Sequence, residues 1–143
     1  MNKLFMRVSL LVLTVIVFMN HPALCFEGVI ICNKDIPENS LTAQELKDIF
    51  TWNKKTWEDG TKIVFVLLKE RDVFNAFARE FLGKSYNQYE MSIKNEIFIN
   101  GYKTPKSFKT EEQVILFVSK TKGAVGFISK EPDTWLVKPL AIK

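Results

Sequence analysis

The chain has 143 residues, with 20 basic against 16 acidic side chains and a single histidine, His21. That length builds one compact core rather than two domains of ordinary size, and a formal charge of +4 is no strong nucleic-acid footprint. One histidine and two cysteines, of which His21 and Cys25 fall in a leader-like segment, exclude Ser-His-Asp and Cys-His sites and leave out the usual zinc ligands.

Residues 1–25 read as an export signal. Lys3 and Arg7 precede an apolar run from Val8 to Met19, and Ala23-Leu24-Cys25 places small residues at −3 and −1 of a cleavage site before Phe26. Two alternatives stand beside cleavage, an uncleaved anchor and a lipidated Cys25. Asn20-His21-Pro22 stops the run short of the roughly 20 residues a span requires, and Pro22-Ala23-Leu24 is a poor match to the small-residue pattern before a lipidated cysteine. Removing 25 of the 143 residues leaves 118, with 18 basic against 16 acidic residues. A Cys25–Cys32 bridge is not expected, because seven residues of extended chain reach about 23 Å.

Residues 28–32 (Gly-Val-Ile-Ile-Cys) predict a buried strand, with Cys32 as a small buried hydrophobe. A polar loop follows over residues 33–40. Thr42-Ala43-Gln44-Glu45 is a capping box that opens a helix to Phe50, burying Leu46, Ile49 and Phe50. Trp52 and Trp57 are read as apolar cover for a sheet edge, and Asp59-Gly60 as a turn.

Residues 63–83 organise the rest. Ile63-Val64-Phe65-Val66-Leu67-Leu68 predicts a strand covered on both faces, and Val73, Phe74, Phe77 and Phe81 form one side of a following helix that Gly83 ends. The junction between them directs unpaired N–H groups and a positive dipole end outward, which suits an anion. Ser85-Tyr86-Asn87-Gln88 and Thr110-Glu111-Glu112-Gln113 are two further capping boxes, opening helices to about Ile97 and to Lys122-Gly123. Between them, the 103–109 loop interleaves Tyr102 and Phe108 with Lys103, Lys106 and Lys109. Residues 124–129 predict a strand, and residues 136–142 a last one confined to an edge by Pro139. No pair of acids lies in an apolar setting that would separate their pKa values, so no catalytic role is expected.

The order of these motifs carries a resemblance. Ser40-Leu41-Thr42-Ala43-Gln44-Glu45-Leu46-Lys47-Asp48-Ile49-Phe50, then Trp57-Glu58-Asp59-Gly60, and later Gly123-Ala124-Val125-Gly126-Phe127, resemble segments of the PstS-like phosphate-binding proteins of bacterial ABC transporters. It implies an α/β fold, a single periplasmic-binding-protein-like (type II) lobe with a central mixed sheet flanked by helices, and a periplasmic or secreted location. Where that family carries an arginine and a Ser-Gly-Thr at the helix start, this chain has Leu67-Leu68-Lys69-Glu70-Arg71-Asp72-Val73. Phosphate or a similar oxyanion is then the expected ligand, contacted by Lys69, Arg71, Asn33 and the N–H groups near Asp72 and Val73. Glu70 and Asp72 work against it, by about 0.3–1 kcal/mol each. Two other readings stand beside this one. The first is a degenerate lobe that binds an envelope protein, and the second is a polyanion binder using the 103–109 loop. No metal, cofactor or nucleic acid is expected, nor a membrane span in the mature form.

Overall fold

The computed structural model describes residues 25–143. The export signal expected over residues 1–25 lies, apart from Cys25, outside the described residues.

The chain forms a mixed α/β layer. The first strand, β1 (Val29–Cys32), is fully apolar because both its neighbours and both its faces are protein. A two-residue strand, β2 (Ser40–Leu41), leads into helix α1 (Ala43–Phe50), where Thr42 accepts from the Glu45 N–H and Glu45 accepts from the Thr42 N–H. That second bond, with smaller help from Lys54, holds the Glu45 carboxyl below the usual range. Leu46, Ile49 and Phe50 are the buried side, as their spacing predicts.

The expected single strand over residues 63–68 is instead two. The short β3 (Val64–Phe65) pairs in parallel with β6 (Ala124–Ile128), and β4 (Leu67–Leu68) pairs in parallel with β5 (Ser107–Phe108). Val66 is the pivot: its N–H still bonds the Val125 carbonyl, while the Leu67 N–H turns to Lys106. With the last strand, β7 (Lys138–Ile142), the five-stranded sheet runs β2-β7-β1-β6-β3, so β1 lies at its centre and β3 at its edge.

β7 (Lys138–Ile142) is not the edge strand Pro139 suggested. It lies between β2 and β1, with Pro139 opposite Ile31. The N–H groups of Ala141 and Lys143 point to the β2 side, at Asn39 and Leu41. Pro139, two residues earlier, faces the same side at a level β2 does not reach, so its missing donor costs no ladder bond.

Helix α2 (Arg71–Phe77) runs on through a π-helical turn (Ala78–Leu82) and ends at Gly83, whose φ of 63° is the left-handed stop expected there. Helices α3 (Tyr86–Asn100) and α4 (Glu111–Lys120) both open on complete capping boxes, at Ser85/Gln88 and Thr110/Gln113. Gly126 lets α4 approach the sheet: a Cβ there would meet Val66 at 3.0 Å and Val114 at 3.1 Å. The core is aromatic at its centre, where Phe127 stacks on Phe77 and meets Phe74 edge-on.

Candidate functional site

Strands β2, β3, β6 and β7 run the same way and β1 runs against them. Their C-terminal ends therefore share one edge of the sheet. Three helices start at that edge: α1 directly after β2, α2 after β4, and α4 after β5. The Ser129 N–H, at the end of β6, donates to the Glu111 carboxylate at 2.7 Å and ties the first turn of α4 to the same place. Helix N-termini that converge on one side of a sheet concentrate N–H groups and positive dipole ends there.

Two of these three starts carry a side-chain cap. Thr42 and Thr110 each accept from one first-turn N–H, that of Glu45 in α1 and of Gln113 in α4. At α2 the N-cap is Glu70, and it makes no side-chain hydrogen bond to the helix. Of the four described helices, α2 is the one left without a side-chain cap.

The structure brings four of the expected contact residues together here. Lys69 continues the β4–β5 ladder, its N–H donating to Phe108 at 2.7 Å, and its ammonium lies 3.7 Å from the Glu90 carboxylate. Arg71 is exposed; it donates to Asn87 at 3.4 Å and its guanidinium lies 5.1 Å from the centre of the Tyr86 ring. Asp72 is exposed in the first turn, and Val73 is half-buried, packed against the core. Tyr86, Asn87 and Glu90 are partners that the strand-to-helix motif alone does not reveal. The signal for them is their spacing at the start of α3, where Tyr86 and Glu90 are one turn apart and bond at 2.9 Å.

Asn33 is elsewhere. It follows β1, which runs opposite to β3, so it emerges beside Ala124 at the start of β6. Its amide is fully used: Nδ2 donates to the carbonyls of Val118 and Ser119, and Oδ1 accepts from the Asp35 N–H. Asn33 is a structural pin between the first loop and the end of α4, at the opposite end of the strands from Lys69 and Arg71.

The 103–109 loop lies beside a second cavity, of about 300 Å³, lined by Trp52, Phe65, Lys103, Lys106 and Phe117 among others. Trp52 stacks on Tyr102 at 4.9 Å, and Trp57 is buried with its indole N–H donating to Gly123. Both are apolar cover, as expected: Trp57 is fully enclosed, and Trp52 is partly buried with its ring edge-on to Phe65 at 5.1 Å.

Cys32 is fully buried, and burial pushes its thiol up to about 12. The folded form therefore keeps its proton where the unfolded chain, with a pKa near 9.0, loses it. The stability this contributes is complete below pH 9 and is lost as pH rises toward 12. A thiol-reactive dye at neutral pH is expected to label Cys32 at the rate of global unfolding; immediate labelling of Cys32 would contradict the burial. No group of three or more metal-ligating side chains occurs among the described residues, and no described helix is long and apolar enough to cross a membrane.

No family profile matches the sequence, and no curated protein matches it. Solved structures do. A Clostridium perfringens protein described as a phosphate ABC transporter substrate-binding protein, with phosphate bound, superposes with a TM-score of 0.61 at 19% identity, over 81% of this chain and 44% of that one. An ABC-type phosphate transport receptor from Vibrio cholerae gives 0.53 at 21% identity, over 83% and 47%. PstS from Borrelia burgdorferi gives 0.51 at 17% identity, over 82% and 47%. The chain thus has the periplasmic-binding-protein-like fold, and it spans less than half the length of the phosphate-binding proteins it matches.

Proposed function

We propose that this chain is an exported, non-catalytic binding domain that takes phosphate or a similar small oxyanion at the β4–α2 junction. The observation that carries the reading is the first turn of α2, which no side chain caps, on an edge where the neighbouring helix starts are capped by Thr42 and Thr110. Lys69 and Arg71 flank that turn, and an arginine fork matches a tetrahedral oxyanion. The likeness to phosphate-binding proteins supports the same choice of ligand. Location outside the cytoplasm follows from the leader-like residues 1–25, with the signal removed after Cys25.

Glu70 and Asp72 set the strength. Both carboxylates stand at the positive end of α2, where each offsets about 0.3–1 kcal/mol of what that end offers an anion. Calorimetry with phosphate, sulfate and acetate is the test. Saturable heat is expected with one of them, and the Glu70→Gln/Asp72→Asn double variant is expected to tighten binding about threefold to thirtyfold. Silence at millimolar ligand in both proteins would refute the reading.

A second reading has its own observation. Phe98 and Ile99 at the end of α3 are 91% and 74% exposed, and Met91 is 65% exposed. Such apolar surface suits an envelope partner protein, and ligand-independent capture of one partner by the wild-type chain and not by Phe98→Ala would favour it.

A further inference from the structure

We propose that the cleft between α3 and the β4–β5 ribbon binds a free, single-chain anionic amphiphile, its acyl tail on the apolar floor and its head group at Lys94. The cleft holds about 500 Å³, within the size range of small-molecule sites. Its floor follows from helical spacing: Tyr89, Ile93 and Ile97 recur every four residues along α3 and face Leu67 of β4. The opposite wall is Thr104, Pro105 and Ser107, held rigid because the Leu67 N–H bonds Lys106 and the Lys69 N–H bonds Phe108. The one buried hydroxyl on the floor, that of Tyr89, donates to the Phe50 carbonyl at 2.6 Å, so the floor presents no unpaired polar group to a hydrocarbon.

The rim is a second row on the same helix. Glu90, Lys94 and Phe98 stand one turn apart, each one residue beyond a floor residue. Glu90 is taken up by Lys69 and by the Tyr86 hydroxyl. Lys94 is exposed and has no carboxylate within ion-pair distance among the described residues. Phe98, 91% exposed at the cleft mouth, leaves its ring in water where a bound chain would cover it. An apolar trough with an unpaired ammonium beside it matches a carboxylate or phosphate on a hydrocarbon chain better than it matches a neutral lipid or a hydrophilic anion. The cleft is distinct from the first turn of α2, with which it shares Lys69 and the Glu90 that pairs with it.

The test titrates the purified protein by calorimetry with octanoate, decanoate and dodecanoate below their micelle concentrations, and with decanol as the neutral probe. One-to-one binding is expected, strengthening about fourfold per added methylene until the cleft is full. Decanol is expected to bind more weakly than decanoate. Lys94→Glu should weaken decanoate by about threefold or more and leave decanol unchanged. Phe98→Ala, at a position too exposed to affect folding, should weaken both probes and leave a phosphate titration unchanged. Absence of saturable binding, affinity independent of chain length, or equal affinity for decanol and decanoate would overturn the proposal. So would association seen with vesicles of anionic phospholipid and not with the free carboxylates.

Discussion

Truncating Phe127 to alanine is expected to cost about 3–5 kcal/mol of folding stability. Phe127 is fully buried in β6, and its ring holds together segments far apart in sequence. It stacks on Phe77 of α2 at 4.1 Å, with the rings 6° from parallel, and it meets Phe74 edge-on at 5.5 Å. Phe50 of α1 and Phe26 close the cluster at 6.1 and 6.4 Å. Removing the ring leaves a cavity walled by Phe50, Phe74 and Phe77, whose backbones are fixed in helices, so collapse around it is limited. Domains of this size are stable by about 5–15 kcal/mol, and the variant should stand near the limit of folding. Urea denaturation of the wild type, Phe127→Ala and Phe127→Leu measures it. Leucine keeps most of the volume and should cost about half as much or less; a loss at alanine below about 1.5 kcal/mol would show that the aromatic centre is not packed as described.

Gly123→Ala is the second large effect, and it arises from the backbone. Gly123 has a φ of 79°, and a Cβ placed on it would lie 2.0 Å from the Lys62 carbonyl oxygen. Its own carbonyl accepts from both the Trp57 indole and the Val64 N–H, each at 3.0 Å. The left-handed conformation costs a non-glycine residue about 1–3 kcal/mol. Here the chain also has to move β3 away from β6, loosening the Trp57 bond with it. Gly101→Ala is the control: its φ is 68°, but nothing lies within 4 Å of the added Cβ. Thermal or urea unfolding is expected to show Gly123→Ala costlier than Gly101→Ala by more than 1 kcal/mol, on the order of a backbone displacement. Equal losses would mean that the close approach at Lys62 carries no weight.

What the sequence made readable was the local part of the fold. All three capping boxes, at Thr42, Ser85 and Thr110, close as their side chains predict, because a box involves four consecutive residues and nothing else. The stop at Gly83 is local for the same reason, whereas α3 runs past its expected end near Ile97 to Asn100. Strand partnership is not local. The run from Ile63 to Leu68 is uniformly apolar, so nothing in it marks Val66 as the point where one partner is exchanged for another. β2 and β5 are two residues each, too short to show alternation, and Pro139 looked like an edge residue because the reach of β2 is set by a different part of the chain.

The candidate site divides the same way. Lys69, Arg71, Asp72 and Val73 are consecutive or nearly so, and one strand-to-helix junction keeps them together. Asn33, expected as a contact beside them, is not part of that junction. The sequence does not reveal that β1 runs against β6, and that reversal carries Asn33 to the other edge. Asn87 and Glu90, which engage Arg71 and Lys69, come from a helix whose docking angle is a tertiary property.

The most direct test of the central claim is a titration of inorganic phosphate followed through the backbone amide resonances of the ¹⁵N-labelled protein. An oxyanion held at the open helix start should shift the amides of Arg71, Asp72 and Val73 saturably. The amides of Glu45 and Gln113, already bonded to Thr42 and Thr110, should stay still. No movement at millimolar phosphate, or equal movement at all three helix starts, would contradict the account.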